Sequence, residues 1–133
     1  MNIRYLELHD LLAATVAYLG RPAEVGDWGL LESALARPKT TVLGQDAYPD
    51  IHQKAAALLH SVVRNHALVD GNKRLGWAAT YLFYGLNGYT AIHNEDQHYN
   101  LIMGVATNTW DTVPKIAHQL AELFIQTKDS TKS

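Results

Sequence analysis

The stretch Asn65-His66-Ala67-Leu68-Val69-Asp70-Gly71-Asn72-Lys73-Arg74 constrains this chain most, because it joins two apolar helical patterns, residues 51–63 and 75–86. The second begins Leu75-Gly76-Trp77-Ala78-Ala79-Thr80-Tyr81-Leu82-Phe83-Tyr84 and is apolar almost all round. A helix of that kind belongs at the centre of a bundle. Small residues at Gly76, Ala78 and Ala79 let neighbouring helices come close. The polar stretch is thus fixed between two core helices. A turn leading into a helix N-terminus offers unpaired backbone N–H groups and the positive end of the helix dipole. Together these suit a phosphate. Gly71 can take a positive φ and let successive N–H groups point into one concavity. Lys73 and Arg74 add positive charge, Arg in a bidentate geometry that Lys cannot match. Asp70 can hold a magnesium ion that keeps phosphate oxygens among its ligands. His66, at the end of the preceding helix, can take a proton from a hydroxyl at neutral pH. The local expectation is a nucleotide-phosphate site with a base beside it. An Asp-Gly-Asn turn is also an ordinary helix connection, and spacing alone leaves that alternative open.

The rest of the chain also reads as helices. Leu8, Leu11, Leu12, Thr15, Val16 and Leu19 recur at helical spacing, and Gly20 follows as a stop. Asp27 can cap a helix from Trp28 to Arg37, with Leu30, Leu31, Ala34 and Leu35 on one inward face and Pro38 closing it. Residues 39–49 are the least helical. Thr40-Thr41-Val42-Leu43 is β-prone, Gly44-Gln45-Asp46 is turn-like and Tyr48-Pro49 stops a helix, so a short β-hairpin or an irregular surface loop fits there. Asp50 can cap the next helix, whose Ile51, Ala55, Leu58, Leu59 and Val62 form its buried stripe. His52 and His60 on that helix lack the spacing of a zinc helix and read as structural or exposed. Arg64 and Asn65, within a turn of His66, are candidates to orient it. Asn87-Gly88 ends the central helix. Asn94 can cap another with Tyr99, Ile102, Met103 and Ala106 inward, and a last helix near Asp111 turns Val113, Ile116, Ala117, Leu120 and Phe124 inward. The expectation is a single all-α domain over residues 1–126, a bundle of about six helices with room for one small β-hairpin. A disordered polar tail at 127–133 follows.

Composition narrows the function classes. At 133 residues the chain is long enough for a real core, and with 47% apolar residues it should be globular. A net charge of −2 gives no argument for direct nucleic-acid binding. Absence of cysteine excludes disulfides and thiolate metal sites. No basic-then-apolar leader opens the sequence and no apolar run approaches a membrane span, so a soluble cytoplasmic protein with no membrane partner is the expectation.

The stretch from His66 to Arg74 resembles the signature of the Fic/Doc superfamily, H-x-[F/L]-x-[D/E]-[G/A]-N-[K/G]-R. Lys73 at the penultimate place resembles the Doc (death-on-curing) toxin branch, whereas Fic adenylyl transferases usually carry Gly there. Gly29 to Pro38, Tyr48-Pro49-Asp50 leading into Lys54 to His60, and Leu86-Asn87-Gly88-Tyr89 are similar to family segments as well. The likeness covers about residues 4 to 126. Ala67 stands where Pro is frequent and Leu68 where Phe is frequent, although Leu68 can still plug the loop into the core. The resemblance implies a toxin that transfers the γ-phosphate of ATP to a Ser or Thr hydroxyl of a translation factor, typically elongation factor Tu. His66 would be the catalytic base, Asp70 the Mg²⁺ residue, and Gly71, Asn72, Lys73 and Arg74 the phosphate binders. It also implies a flap over residues 39–49 that presents an edge to the target, and a Phd-like antitoxin docking into a groove near the site. Competing readings are AMP transfer, which Lys73 argues against, and a non-catalytic binding module, which the joint presence of His66, Asp70, Asn72 and Arg74 argues against.

Overall fold

Two helices of fifteen residues each, α3 (Ile51–Asn65) and α4 (Asn72–Leu86), make the centre of the fold. The computed structural model describes residues 2–127. The glycine at position 76 lets these helices meet: a Cβ there would lie 2.5 Å from Val63 Cγ2 and 3.2 Å from Leu59 Cδ1. Gly76 thus lets α3 and α4 pack closely. Around this pair run α1 (Leu8–Leu19) against α4, α2 (Trp28–Ala36) against the outer side of α3, α5 (Glu95–Ala106), and α6 (Val113–Leu123) along α3. The expected all-α bundle of six helices is what forms. One continuous core joins Leu11, Leu31, Leu59, Leu75, Phe83 and Leu120, all essentially removed from water.

Local chemistry starts these helices where the sequence signals them. Asp27, Asp50, Asn94 and Thr112 each accept a backbone N–H of the first turn through the side chain, and Asp10 accepts the Glu7 N–H at the start of α1. The helix after Asp27 stops at Ala36, one residue before the expected Arg37, which begins a 3-10 turn (Arg37–Lys39) containing Pro38. The expected hairpin is present, with β1 (Thr41–Val42) pairing antiparallel to β2 (Gln45–Asp46).

Several faces differ from the periodicity reading. Leu30 and Val16 are exposed, not inward. On α5 the buried residues are Leu101, Ile102, Gly104 and Val105, whereas Tyr99 is 64% exposed. The helix turns its small Gly104 face to Trp110, against which a Cβ could not fit, and so rotates Tyr99 outward. A second small sheet was not expected. β3 (Tyr89–Ala91) pairs antiparallel with β4 (Phe124–Gln126), so Phe124 is buried as expected but from a strand and not from the last helix. Its ring stacks on Tyr84 at 3.9 Å between centroids, and the Tyr84 hydroxyl lies 2.7 Å from His52 Nδ1. His52 is therefore structural, as read from the sequence. Thr127 donates its N–H to the Gly88 carbonyl at 2.7 Å; the remainder of the expected tail lies outside the described residues. Among the described residues no helix is long and apolar enough to cross a membrane.

Candidate active site

α3 ends at Asn65, and His66 follows in the left-handed conformation (φ 53°, ψ 45°). Asn and His tolerate that region better than most side chains, and it turns the chain sharply off the helix axis. The chain then runs antiparallel to residues 24–27. The Ala67 carbonyl accepts the N–H groups of Gly26 (2.8 Å) and Asp27 (3.0 Å), and Val69 donates its N–H to the Glu24 carbonyl (2.9 Å). Leu68 is buried and anchors the loop in the core, as expected. The Asn72 side chain closes the loop from the other side. Its Oδ1 accepts the Leu68 N–H and its Nδ2 donates to the Leu68 carbonyl, both at 3.0 Å. Backbone pairing, an apolar plug and one amide clamp therefore over-determine a loop that would otherwise be mobile.

The start of α4 is chemically unlike the other helix starts. Gly71 is its N-cap, left-handed at φ 90°, and has no side chain to offer the first turn. Leu75 makes the first helical bond, donating to the Gly71 carbonyl at 2.8 Å. The N–H groups of Asn72, Lys73 and Arg74 come before it and have no helical acceptor. A Cβ at position 71 would be strained by this φ and would lie 3.0 Å from Leu19 Cδ1, so α1 closes down on the turn as well. The result is an open helix N-terminus with two basic residues in its first turn, which repels cations and welcomes an anion.

His66, Asp70, Gly71, Asn72 and Lys73 line one cavity of about 230 Å³, whose remaining walls are Val63, Val69 and Ala106. Arg74 is the exception among the sequence-predicted residues. With Lys73 it borders a neighbouring groove of about 320 Å³ whose walls are Tyr18, Trp77, His98, Tyr99, Ile102 and Met103. Lys73 thus joins a polar cavity to an apolar groove. Asp70 is mostly exposed, and its Oδ2 lies 3.3 Å from Arg21 Nη2; among the described residues its other oxygen has no side-chain partner. A hard carboxylate oxygen is chemically suited to magnesium once a phosphate held at the helix N-terminus supplies negative charge and further oxygens, since that ion prefers oxygen ligands shared with phosphate.

A sequence model described as "Fic/DOC family" matches residues 4–84. The chain belongs to the Fic/Doc family. It is also 48% identical over 119 residues to a protein named "Toxin Doc" from Mycolicibacterium smegmatis, a match that spans 88% of this chain and 91% of the relative.

Other basic residues of this Fic/Doc protein are committed elsewhere. Arg64 Nη1 donates to the Ala106 carbonyl at 2.7 Å, and Asn65 Nδ2 to the Leu30 carbonyl at 3.4 Å. Neither orients His66, contrary to the sequence reading: both side chains leave α3 for neighbouring helices. Arg64 instead fixes the end of α5, whose Ala106 forms a cavity wall. Arg37 donates from Nε to the Tyr48 hydroxyl (3.0 Å) and from Nη1 to Ser61 Oγ (3.1 Å), and its Nη1 lies 2.8 Å from His60 Nδ1. Burial, and then the Arg37 guanidinium, hold the His60 imidazole below its usual range. Arg21 was missed. It follows the Gly20 stop in a loop without periodicity, and only the fold carries it 49 positions along the chain to Asp70.

Proposed function

We propose that this protein is a Doc-like toxin that transfers the γ-phosphate of ATP to a Ser or Thr hydroxyl of a translation factor, of the elongation factor Tu type, and so stops translation. One observation carries the reading: His66, Asp70, Lys73 and the uncapped start of α4 share a single cavity. His66 takes the proton of the acceptor hydroxyl while its oxygen attacks the γ-phosphorus; the bond from that phosphorus to the β–γ bridging oxygen breaks, and ADP leaves. The N–H groups of the first turn of α4, with Lys73 and Arg74, meet the charge on the phosphates, so preplaced dipoles and cations supply most of the catalysis. Asp70 would hold Mg²⁺, which supplies neutralisation of the phosphate charge when bound.

Lys73 favours γ- over α-phosphate transfer. Lys73 lines the cavity at the place where a Gly would offer no side chain. A nucleotide entering this cavity meets a cation at that place, and the terminal phosphate is the group that suits it. The β1–β2 hairpin suits a protein acceptor: all four strand residues are exposed, and an extended segment can add to the free edge by main-chain hydrogen bonds. The relative's name includes the word toxin, and a toxin of this kind has a cognate, Phd-like antitoxin. The groove beside Lys73, walled by Tyr18, Trp77 and Tyr99, is the surface that suits its docking segment.

Isotope placed at either the γ or the α position of ATP tests the reaction. Wild-type protein with Mg²⁺ and elongation factor Tu should transfer γ label to the factor, and His66→Ala should abolish this with the fold intact. Transfer of α label would make the protein an AMP transferase. No transfer of either would make it a binding module.

A further inference from the structure

Among the described residues Lys54 is the one charged side chain in the core, 2% exposed on the inward half of α3. Its ammonium lies over the Tyr5 ring, 5.9 Å from the centroid, and donates to Asp46 Oδ2 at 3.0 Å and to the Tyr48 carbonyl at 2.6 Å; both hydrogen bonds go to the hairpin and its stem. Asp46 is the last residue of β2, and Tyr48 is where the chain turns back towards α3. Tyr48 is gripped a second time, because Arg37 donates to its hydroxyl and its guanidinium carbon lies 5.6 Å from the ring centroid. Arg37 also binds Ser61 on α3, five residues before His66. No strand residue of the hairpin is buried, and Leu43 at its tip is 97% exposed with a positive φ of 52°. A two-stranded hairpin alone is marginal in water. Burial does not set the position of this one. The polar ties at its stem do.

We infer that Lys54 is a positioning residue, a buried post that holds the hairpin edge in register with the cavity for the incoming protein segment. This rests on the proposed kinase reading. A buried charge costs desolvation, and an apolar replacement of Lys54 removes that cost while leaving behind a carboxylate, Asp46, that is 54% exposed and can be hydrated. Packing alone does not require Lys here, whereas holding Asp46 and Tyr48 does. The acceptor protein therefore feels the loss of Lys54, and ATP does not.

The test compares full-length wild type, Lys54→Met, Asp46→Ala and Asp46→Glu, with ATP, Mg²⁺ and purified elongation factor Tu. Lys54→Met should raise KM for the protein at least tenfold, keep kcat and the KM for ATP within twofold, and speed hydrogen exchange at the Ala47 amide, which donates to Thr40 at the hairpin neck. Its unfolding midpoint should not fall. Asp46→Ala removes the exposed partner, lowers stability because the buried Lys54 ammonium keeps only the Tyr48 carbonyl, and should raise the same KM, which gives a second reading of the hairpin tie if Lys54→Met does not fold. Asp46→Glu keeps the carboxylate and should restore it. An unchanged protein KM in an active Lys54→Met or Asp46→Ala enzyme overturns the inference alone, as does a joint loss of kcat, ATP affinity and stability. A wild type that transfers no γ label to the factor overturns the kinase reading and this inference with it.

Discussion

Gly76→Ala offers a direct test of how α3 and α4 hold the site. The added methyl would lie 2.5 Å from Val63 Cγ2, 3.2 Å from Leu59 Cδ1 and 3.8 Å from Val62 Cγ1. Favourable carbon contacts lie at about 3.5–4.0 Å, so Val63 must give by roughly an ångström. It is buried and β-branched, with one strongly preferred rotamer in a helix, so the helices must part instead. Overpacking of this kind costs about 1–3 kcal/mol, and the gain in helix propensity from Gly to Ala returns up to about 1 kcal/mol. The net expectation is a loss of up to roughly 2 kcal/mol against wild type, a fall in Tm of up to ~10 °C for a domain of this size. Against a glycine-to-alanine change elsewhere on the helix, which gains the same propensity without the clash, the loss is about 1–3 kcal/mol. Val63 also lines the cavity with His66 and Lys73, so MgATP affinity should fall with stability. Gly85→Ala is the internal control: it lies on the same helix with nothing within 4 Å of the methyl it would gain, and should leave stability equal or raise it by about 0.5 kcal/mol. Urea unfolding with unchanged m-values, alongside calorimetric titration with MgATP, reads both effects. A Gly76→Ala protein as stable as Gly85→Ala would refute the claim that contact at this glycine sets the helix spacing.

Two further outcomes follow from the charges. Burial holds both His52 and His60 below the usual value of 6.5, so between their folded values and 6.5 the unfolded chain carries more protons. Their contribution is complete above about pH 6.5 and is lost as the pH falls below it. Urea midpoints should therefore drop between pH 7.5 and 5, and His60→Gln should flatten the drop; a flat wild-type profile would count against buried neutral imidazoles. Arg21→Ala removes an exposed ion pair, with side chains 49% and 71% accessible, so its stability cost should stay below about 1 kcal/mol. If Arg21 turns from Asp70 to the phosphates when nucleotide binds, MgATP affinity should nonetheless weaken roughly tenfold by calorimetry; equal affinity would leave Arg21 a surface residue.

What could be read from the sequence is what short-range chemistry decides. Caps at Asp27, Asp50 and Asn94 act on the next three residues, and each starts the helix assigned to it. The turn from His66 to Arg74 was legible for the same reason, since Gly71 and the first turn of α4 are sequence neighbours. Side-chain faces were less secure where a hydrophobic residue serves a groove. Tyr99 has helical spacing with Ile102 and Met103, but these residues flank a surface cleft, and its phase is set by Trp110 meeting Gly104. Nothing local announces β3 and β4, each three residues long and paired only with the other. Arg64 and Asn65 lay close to His66 in sequence and bond to other helices in space, because successive side chains on a helix point in different directions.

The β3–β4 pairing also orders events in time. Ala91 cannot meet Phe124 until residue 124 has emerged, and α6, which packs along α3, lies just before that strand. A growing chain makes its N-terminal parts first. Residues 66–74 are thus synthesised long before the helices that carry them are enclosed. A nascent chain that has passed Ala106 but stops short of residue 113 holds every group of the cavity but lacks the α6 packing along α3, so the helix that leads into His66 is enclosed only after residues 113–126 have joined the fold.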